Sequence, residues 1–398
     1  MAPPQTERLY YTDCYLKDFE ARVVAVKAGA EGFRVYLDRS AFYPESGGQP
    51  ADTGTLAGQP VLQIADEGEA VAHLLAKQPE NDLVEGEIDW PRRFDHMQQH
   101  TGQHVLSSAF ERAGGYKTVS FHMGKESSTI DLDSDRIGRR QIEEAEHLAN
   151  RILFENREVR IFFTPAEEAT RMELRKPTFR EGDVRLVEID GFDLSACGGT
   201  HVNRTGAIGM IAVRKSERVK GLTRVEFVCG ERALGRARSD YKSLSESALQ
   251  LSTSLENVPG LIQKQSAELR DALQAKEKLQ ERLAEYRARE LLASAPERKG
   301  RRIVRVVTTA FDLEAPELLA HAIVRQNCAV ALIGVKGLPA RLIFAQSPGG
   351  PDDMNALLRQ TLARVGGKGG GRQDFAQAGG LDEERLEEAL ALAESILG

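Results

Sequence analysis

The sequence predicts an α+β multidomain protein whose 398 residues fall into four segments of different character. A chain of this length is too long for one ordinary core, and the length favours two to four domains. Residues 1–90 hold short alternating runs such as Phe33 to Asp38 and are predicted to form a small β-barrel or meander. Residues 91–238 mix helical and strand patterns and predict an α+β domain. Residues 239–298 carry helical heptads, and residues 299–398 alternate strands with helices as in an α/β unit.

The composition excludes several classes of protein. Its apolar runs are shorter than the roughly 20 residues that cross a bilayer, and residues 1–7 lack the basic start and apolar stretch of a secretory signal. We therefore expect a cytoplasmic location and no membrane partner. A net charge of −7 argues against a general polyanion binder. The four cysteines are too few for a disulfide framework and are expected to be thiols or metal ligands: Cys14, Cys197, Cys229 and Cys328.

A glycine-containing loop is predicted where the strand pattern of the first segment stops. The chain from Tyr43 to Gly54 reads Tyr-Pro-Glu-Ser-Gly-Gly-Gln-Pro-Ala-Asp-Thr-Gly. Gly47 and Gly48 allow backbone conformations that other residues avoid. We expect a loop of defined shape, with an ordinary hairpin turn as the alternative.

A helix with three histidines is predicted at the start of the second segment. Asp95 is expected to cap this helix, which would run from His96 to Ala113. Gln98 stands at the capping-box position, and Gly114-Gly115 is expected to end the helix.

Two of these histidines and a distant motif predict a zinc site. His100 and His104 are four residues apart, so both imidazoles leave one helix face about one turn apart. Cys197-Gly-Gly-Thr-His201 places a thiolate and an imidazole on either side of a turn. Together they make an N₃S ligand set suited to one Zn²⁺ per chain. His96 lies one turn further back and is expected to be a neighbour of the site or exposed to solvent.

The predicted site differs from that of a metallopeptidase. In H-E-x-x-H the glutamate is the general base, and here that position is Thr101. Four protein ligands also leave no open coordination position, which is the arrangement of structural zinc. Either one ligand yields to water or substrate, or the metal organises a pocket in which the chemistry occurs; the sequence leaves both open.

The rest of the second segment predicts further helices and strands, followed by a basic run. Helices are expected at Arg139 to Asn156 and near Ala166 to Leu174, and strands at Val159 to Phe163, Val184 to Ile189, Ile208 to Val213 and Thr223 to Val228. Between Ile211 and Arg224 five cations accompany one acid, Glu217: Arg214, Lys215, Arg218, Lys220 and Arg224. The run indicates either a nucleic-acid contact or a solvated surface.

The third segment predicts a helical arm with coiled-coil spacing. Apolar residues alternate steps of three and four at Tyr241, Leu244, Ala248, Leu251, Leu255, Val258 and Ile262, and the pattern resumes through Leu269, Ala272, Leu279, Leu283 and Tyr286. Pro259-Gly260 is expected to break the arm into two helices, and Ala295-Pro296 to end it. The arm would serve as a spacer or a dimerising element.

The fourth segment predicts an α/β unit with a glycine-rich loop. Strands are expected at Ile303 to Val307, Ala329 to Gly334 and Leu342 to Ala345, and helices at Ala315 to Gln326, Asp353 to Val365 and Asp382 to Leu397. The loop from Gly366 to Asp374 contains Lys368 and Arg372, so it could cradle phosphate, or it could be a flexible surface loop. A polar linker is expected after it.

Taken together, the motifs resemble those of the alanyl-tRNA editing proteins, free-standing relatives of the editing half of alanyl-tRNA synthetase. The motifs that carry the resemblance are Phe42 to Pro50, His100-Thr-Gly-Gln-His104, Cys197-Gly-Gly-Thr-His201, Val228-Cys-Gly230 and the segment Gly366 to Gly380, which is similar to the glycine-rich motif of DHHA1 RNA-binding domains. The order of segments is that of the long form of the family. The resemblance covers nearly the whole chain.

The resemblance implies hydrolysis of the ester that joins a wrong amino acid, chiefly serine and secondarily glycine, to tRNA(Ala). It implies a zinc-dependent deacylase with catalytic Gln49, His100 and His104, and substrate contacts from Gly47, Gly48, Gln49 and Thr101. For Gln49 the alternative is that it only braces the glycine loop. The tRNA itself is expected to contact Arg214, Lys215, Lys220, Lys368 and Arg372. A homodimer through the arm or the C-terminal domain is a further expectation.

Two other functions remain open. The first is a catalytically silent tRNA-binding protein with a structural zinc, which the complete ligand set would suit. The second is a metal-dependent hydrolase of an amide or phosphoester. Thr101 and the lack of an acidic cluster in the sequence disfavour it.

Overall fold

The computed structural model describes residues 5–178, 182–309, 315–326 and 328–398. These form two compact units, Met1–Glu246 and Ser247–Gly398. The boundary falls inside the predicted arm, and the finer division into four domains stays a prediction. Of the seven residues considered above for a secretory signal, the first four lie outside the described residues. Among the described helices, none combines the length and apolar character needed to span a membrane.

The N-terminal part of the first unit contains a seven-stranded antiparallel sheet and a separate parallel pair of short strands. Its strands are β1 (Glu7–Arg8), β2 (Asp18–Gly29), β3 (Gly32–Leu37), β4 (Arg39–Ser40), β5 (Gly54–Leu56), β6 (Gln59–Pro60), β7 (Gln63–Glu67), β8 (Ala70–Leu75) and β9 (Leu83–Ile88). Seven of them pair in the order β6-β5-β9-β2-β3-β8-β7, and β1 pairs with β4. Leu56 near one end and Val71 near the other share one core, so the sheet is curled. The strand order is linear, and closure into the predicted barrel stays a prediction.

A long helix, α1 (Trp90–Gly114), follows this sheet and corrects the predicted start. Asp89, rather than Asp95, is the N-cap and accepts from Arg92 N, and a proline occupies the first turn. Asp95 lies inside the helix and pairs with Arg232 at 2.6 Å. Gln98 makes no capping box, because its Nε2 donates to Ala207 O at 2.9 Å. The predicted end is confirmed, since Gly115 is a left-handed C-cap.

Two further sheets and a second helix surround α1. The elements are β10 (Thr118–Met123), β11 (Ser128–Leu132), α2 (Arg139–Phe154), β12 (Val159–Pro165), α3 (Ala166–Ala169), β13 (Asp183–Ile189), β14 (Asp193–Ala196), β15 (Ile211–Val219) and β16 (Leu222–Cys229). The sheets have the orders β10-β11-β16-β15 and β12-β13-β14. Val105 and Phe110 of α1 pack in one core with Ala145 of α2 and Phe227 of β16. The helix predicted to reach Leu174 ends at Ala169, and the strand predicted from Ile208 begins at Ile211.

The arm consists of two helices, α4 (Gly230–Gln250) and α5 (Val258–Ser294). Pro259-Gly260 does not break a helix as predicted, because both residues lie in the first turn of α5, where proline is tolerated. The interruption lies between the two helices, where Ser252 has a positive φ of 51°. Tyr241 of α4 and Leu269 and Tyr286 of α5 are exposed. The helical prediction is therefore confirmed, and the coiled coil stays a prediction.

The second unit is built on a six-stranded sheet. Its elements are β17 (Glu297–Arg298), β18 (Arg301–Thr309), α6 (Pro316–Val324), β19 (Ala329–Lys336), β20 (Ala340–Gln346), α7 (Met354–Val365), β21 (Lys368–Gly371), β22 (Phe375–Leu381) and α8 (Leu386–Leu397), in the order β17-β18-β19-β20-β22-β21. The α7 and α8 side chains share one core, and those of α6 and the end of α5 share another. The predicted α/β unit is thus a single sheet with two hydrophobic cores, one formed with α7 and α8 and the other with α6 and the end of α5.

The glycine-rich segment of this unit is a β-hairpin, which corrects the predicted loop and linker. Lys368 pairs with Gly379, and Gly371 with Ala376. A Cβ on Gly369 would lie 2.3 Å from Gln377 O, so a side chain there cannot fit against the facing strand. The glycines therefore allow close strand pairing.

Candidate metal centre and pocket

Four side chains from two distant parts of the chain meet in the first unit. One ligand atom from each of His100, His104, Cys197 and His201 lies within 4.8 Å of the other three. His100 Nε2 and His201 Nε2 are each 3.3 Å from Cys197 Sγ. Ligands bound tetrahedrally at about 2.0–2.3 Å lie roughly 3.3–3.7 Å apart, so these distances suit a single small ion. The sequence prediction of the cluster agrees with this geometry.

Each histidine of the cluster is held by a hydrogen bond to its other ring nitrogen. His100 Nδ1 lies 2.7 Å from Gln49 Oε1, and His201 Nδ1 lies 3.2 Å from Thr101 Oγ1. His104 Nδ1 lies 3.1 Å from Asp193 Oδ2. Since an oxygen acceptor at Nδ1 fixes the proton there, Nε2 keeps its lone pair for a metal. His100 and His104, whose partners are a carbonyl and a carboxylate oxygen, therefore hold a proton on Nδ1 and offer Nε2 to a metal, whereas the Thr101 hydroxyl can accept from or donate to His201 Nδ1.

The charges in the cluster favour the ligand form of the thiol. Burial alone would raise the pKa of the Cys197 thiol, but the imidazoles of His100 and His201 hold that pKa well below its usual range. Burial lowers the pKa of His201 to about 3. Burial opposes protonation of His104 as well, yet hydrogen bonds with Asp193 and Cys197 raise its pKa to about 9. A thiolate beside a His104 imidazole whose proton must leave before the ring can bind metal is the chemistry of a metal site.

The Gly-Gly turn of the second motif is required by close packing. A Cβ on Gly199 would lie 2.1 Å from His100 Cε1 and 3.0 Å from Gln49 Oε1. Gly198 is less constrained, because its nearest neighbour, Tyr11, is 3.8 Å away. The residue that lets the motif reach α1 is therefore Gly199.

The glycine loop is fixed against α1 by a buried ion pair. Arg93, with no exposed surface, donates to both carboxylate oxygens of Asp52 and to Ala41 O. Asp52 Oδ2 also accepts from Tyr43 N at 2.7 Å. Gly48 has a φ of +83°, and a Cβ there would lie 2.6 Å from Phe121 O. The loop thus has a defined shape, and its tip at Gly47-Gly48 is also the hairpin turn named as the alternative, since Ser46 and Gln49 exchange backbone hydrogen bonds.

A pocket of about 310 Å³ opens beside the cluster. His100, His104 and Cys197 form part of its wall. The remaining wall combines aromatic, cationic and hydroxyl side chains, among them Tyr11, Tyr43, Ser46, Gln103, Thr118, Ser120, Arg175 and Lys176. Such a wall offers ring faces for stacking and cations for anionic groups.

The predicted substrate contacts divide into two groups. Gly47 lines the pocket. Gln49 and Thr101 are fully buried, and their polar atoms bind protein partners: Gln49 Nε2 donates to Thr200 Oγ1 at 2.8 Å, and Thr101 Oγ1 accepts from Val202 N at 3.1 Å. These contacts favour the alternative in which Gln49 stabilises the glycine loop and does not contact the substrate. Gly48 supports the loop through its close approach to β10.

His96 is buried, and the expectation that it faces solvent is wrong. Its exposure is 3%, and its Nδ1 is one of the buried atoms without a hydrogen-bond partner in the described residues. Burial, with Arg92 nearby, lowers its pKa to about 4. It is not among the four clustered ligands.

The predicted tRNA-binding cations of the first unit are not among the residues that line this pocket. Arg214 pairs with Asp240 at 2.6 Å, and Lys215 pairs with Glu217 at 2.5 Å. Lys220 is exposed at the turn between β15 and β16. In the second unit Lys368 is exposed on β21, and Arg372 lies 3.7 Å from Asp374. The acidic partners reduce the net charge of the basic run.

Sequence reasoning missed two residues that the geometry brings to the site, Asp193 and Arg175. Asp193 accepts from His104 and, through Oδ1, from Arg175 Nε at 2.6 Å. Neither stands in a recognisable motif, and their contacts with the histidine helix join residues far apart in the chain. The position of Asp193, four residues before Cys197, is the one local signal.

Comparisons with known proteins identify two domains in this chain. The threonyl and alanyl tRNA synthetase second additional domain matches residues 184–226, and the DHHA1 domain matches residues 336–398. Alanine–tRNA ligase of Pyrococcus abyssi is 34% identical over 97% of this chain and 43% of its own length. The Halobacterium salinarum enzyme is 34% identical over 99% of this chain and 44% of its own length.

Among solved structures, the C-Ala domain of Aquifex aeolicus alanyl-tRNA synthetase covers 26% of this chain and 97% of its own. It is 24% identical, with a TM-score of 0.24. The chain spans less than half the length of the two ligases it matches.

The fold and the matches define a protein with a tRNA-synthetase second additional domain and a C-terminal DHHA1 domain. The predicted resemblance is confirmed: the chain is related to the alanyl-tRNA editing proteins and, over nearly its whole length, to alanine–tRNA ligases.

Proposed function

We propose that this chain hydrolyses the ester of mischarged tRNA(Ala), chiefly Ser-tRNA(Ala) and also Gly-tRNA(Ala). The observation that carries the proposal is the pocket whose wall includes three of the four clustered ligands. A relationship to alanine–tRNA ligases makes tRNA(Ala) the partner to test. An aminoacyl ester is activated, so positioning it beside a bound water supplies much of the required catalysis.

We propose Zn²⁺ as the ion, one per chain, held by His100, His104, Cys197 and His201. Three imidazoles and a thiolate match its ligand preference. When bound, the ion would supply a Lewis acid at the pocket wall and fix the shape of the pocket.

The pocket residues suit the end of a tRNA. Tyr11 and Tyr43 offer ring faces to a base, and Arg175 and Lys176 offer cations to a phosphate. Gln103 donates through Nε2 to Ser107 Oγ at 2.8 Å, and its carbonyl oxygen would accept from the hydroxyl of a seryl group. An alanyl group has no such donor, which gives the discrimination a physical basis.

The decisive experiment compares single-turnover deacylation of Ser-tRNA(Ala), Gly-tRNA(Ala) and Ala-tRNA(Ala) by the purified chain. Serine should be released far faster than alanine. In the Gln103→Met variant the rate on Ser-tRNA(Ala) should fall by roughly 5- to 150-fold, since an unpaired buried hydroxyl costs about 1–3 kcal/mol. The rate on Ala-tRNA(Ala) should stay unchanged and serves as the internal control. Equal rates of the unmodified chain on serine and alanine would refute the editing role.

A second candidate is a non-catalytic tRNA-binding protein with a structural zinc. The observation in its favour is that four protein side chains cluster, which is the number of protein ligands in structural zinc sites. Tight binding of tRNA(Ala) without release of serine would support it.

We further propose that the DHHA1 unit contacts the tRNA body through Lys368 and Arg372 on its exposed hairpin.

A further inference from the structure

Asp193 is a buried carboxylate that joins the metal cluster to the pocket. It lies at the start of β14, and its side chain has 0% exposure. Oδ2 accepts from His104 Nδ1 at 3.1 Å and from Ser195 Oγ at 2.9 Å. Oδ1 accepts from Arg175 Nε at 2.6 Å. Both oxygens are therefore used, and each serves a different part of the site.

Arg175 is one of the cations in the pocket wall. Its side chain is 14% exposed. The backbone N–H of Arg175 donates to Leu194 O at 2.9 Å, which anchors the residue to β14. Nε is bound by Asp193, and within the described residues the two terminal guanidinium nitrogens have no hydrogen-bond partner, so they can meet a ligand. A guanidinium presented in this way suits an anionic, planar or tetrahedral oxygen group such as a phosphate.

We propose that Asp193 is a positioning residue with two tasks: it orients His104 toward the metal, and it presents Arg175 to a phosphate at the 3′ end of the bound tRNA. The proposal rests on the proposed function for its substrate. It makes the metal centre and the anion contact depend on one carboxylate. Metal binding and substrate binding are then linked through the side chain of Asp193.

The two acceptor oxygens make a carboxylate hard to replace. Asparagine has the same shape but offers one acceptor oxygen and one donor group. In Asp193→Asn either the His104 N–H or the Arg175 Nε–H loses its acceptor, and the partly buried guanidinium loses its counter-charge. The variant should therefore damage both tasks, whereas changes at Arg175 should damage one.

The test compares three full-length variants by zinc affinity, measured with zinc alone against a chromogenic chelator, and by KM and kcat on Ser-tRNA(Ala). Asp193→Asn should lower zinc affinity by about 10–100-fold and raise KM. Arg175→Met should keep zinc affinity within about threefold and kcat unchanged, raise KM about tenfold, and reduce the salt slope of tRNA binding by about 0.7–0.9. Asp95→Asn, which breaks another Asp–Arg pair on α1, is the matched control and should change neither quantity.

Two results would overturn the proposal: unchanged zinc affinity in Asp193→Asn, or loss of zinc from Arg175→Met as great as that from Asp193→Asn. If Asp193→Asn fails to fold, Ser195→Ala removes one of the bonds to Oδ2 and should weaken zinc binding severalfold. Arg175→Met then tests the other task. If the unmodified chain does not release serine, the proposed function fails, but zinc affinity and the binding of uncharged tRNA(Ala) still decide the two tasks of Asp193.

Discussion

The first unit buries charged and titratable side chains in its interior, whereas the second keeps them at its surface. Arg93, Asp52, His73 and Asp193 are all buried in the first unit. In the described residues of the second unit, the buried polar side chains are Gln346, Ser347 and Thr361, none of which titrates. Its ion pairs are at least partly exposed, as between Arg305 and Glu394.

The first unit is therefore organised around the candidate metal site, and the second unit around an aliphatic core. Burying a charge is costly unless it is paired, and such pairs contribute more to position than to stability. In the first unit, buried charges lie where the metal-ligand cluster, the glycine loop and α1 meet. Four predictions test the contrast, beginning with the largest effect.

Cys197→Ala should reduce bound zinc from about one ion per chain to almost none and abolish deacylation, because it removes the thiolate to which His100 and His201 are adjacent. His96→Ala is the control and should retain the metal. Elemental analysis of the purified variants gives the answer, and full zinc occupancy in Cys197→Ala would remove this cluster as the metal site.

Arg93→Met should destabilise the first unit by about 3–5 kcal/mol, since it leaves the Asp52 carboxylate buried without its partner. The measurement is urea unfolding followed by a signal from Trp90, the single tryptophan, which lies in the first unit. As a control from the second unit, Arg305→Met removes a partly exposed pair and should cost under about 1 kcal/mol; because Trp90 reports on the first unit, this unfolding is followed by far-ultraviolet circular dichroism. Similar losses in both variants would erase the contrast between the units.

Acid should destabilise the first unit through His73. Burial lowers the pKa of His73 from 6.5 to about 4, and its Nε2 lies 2.8 Å from Ser40 Oγ. The unfolded chain then binds a proton below pH 6.5 that the folded chain refuses, so this stability is present above pH 6.5 and is lost as the pH falls toward 4.

The expected loss is about 3 kcal/mol, the free energy that corresponds to the change from 6.5 to about 4. His73→Phe should remove that part of the pH dependence. The measurement is unfolding free energy against pH for both proteins in the presence of a chelator. Parallel curves from pH 7 to 4 would contradict the prediction.

The smallest effect is expected in the second unit. Replacing both Lys368 and Arg372 by alanine should weaken tRNA(Ala) binding and lower its salt slope by roughly 1.4–1.8, while zinc content and stability stay unchanged. Filter binding at two salt concentrations measures this, and light scattering monitors the oligomeric state. An unchanged affinity and slope would leave the second unit as a scaffold or dimerising element.

The parts of the site that sequence could predict depend on local spacing. His100 and His104 are one helical turn apart, and Cys197 and His201 flank a Gly-Gly turn. Each pair can therefore be predicted from the local sequence, without knowledge of the fold. That the two pairs form one site is predicted from ligand chemistry, since together they make a zinc-binding set. Asp193 and the Arg93–Asp52 pair were not predictable, because their partners lie far away in the chain and single charged residues carry no pattern.

The errors in the elements have similar physical causes. The capping pattern at Asp95 predicts the start of α1 there, whereas the true N-cap, Asp89, precedes a proline in the first turn. The glycines from Gly366 onward predict a loop, yet pairing with Ala376 and Gly379 makes the segment a strand. In the first case one local capping signal prevails over another, and in the second case strand pairing decides between local alternatives.

The burial of α1 has a consequence for amide exchange. Residues 96–110 are all buried, so this helix has no face toward solvent over four turns. Its backbone amides cannot exchange by fraying and should exchange only when the first unit opens as a whole. His100 and His104 would then lie on the slowest-exchanging stretch of that unit, while the exposed amides of β21 exchange early.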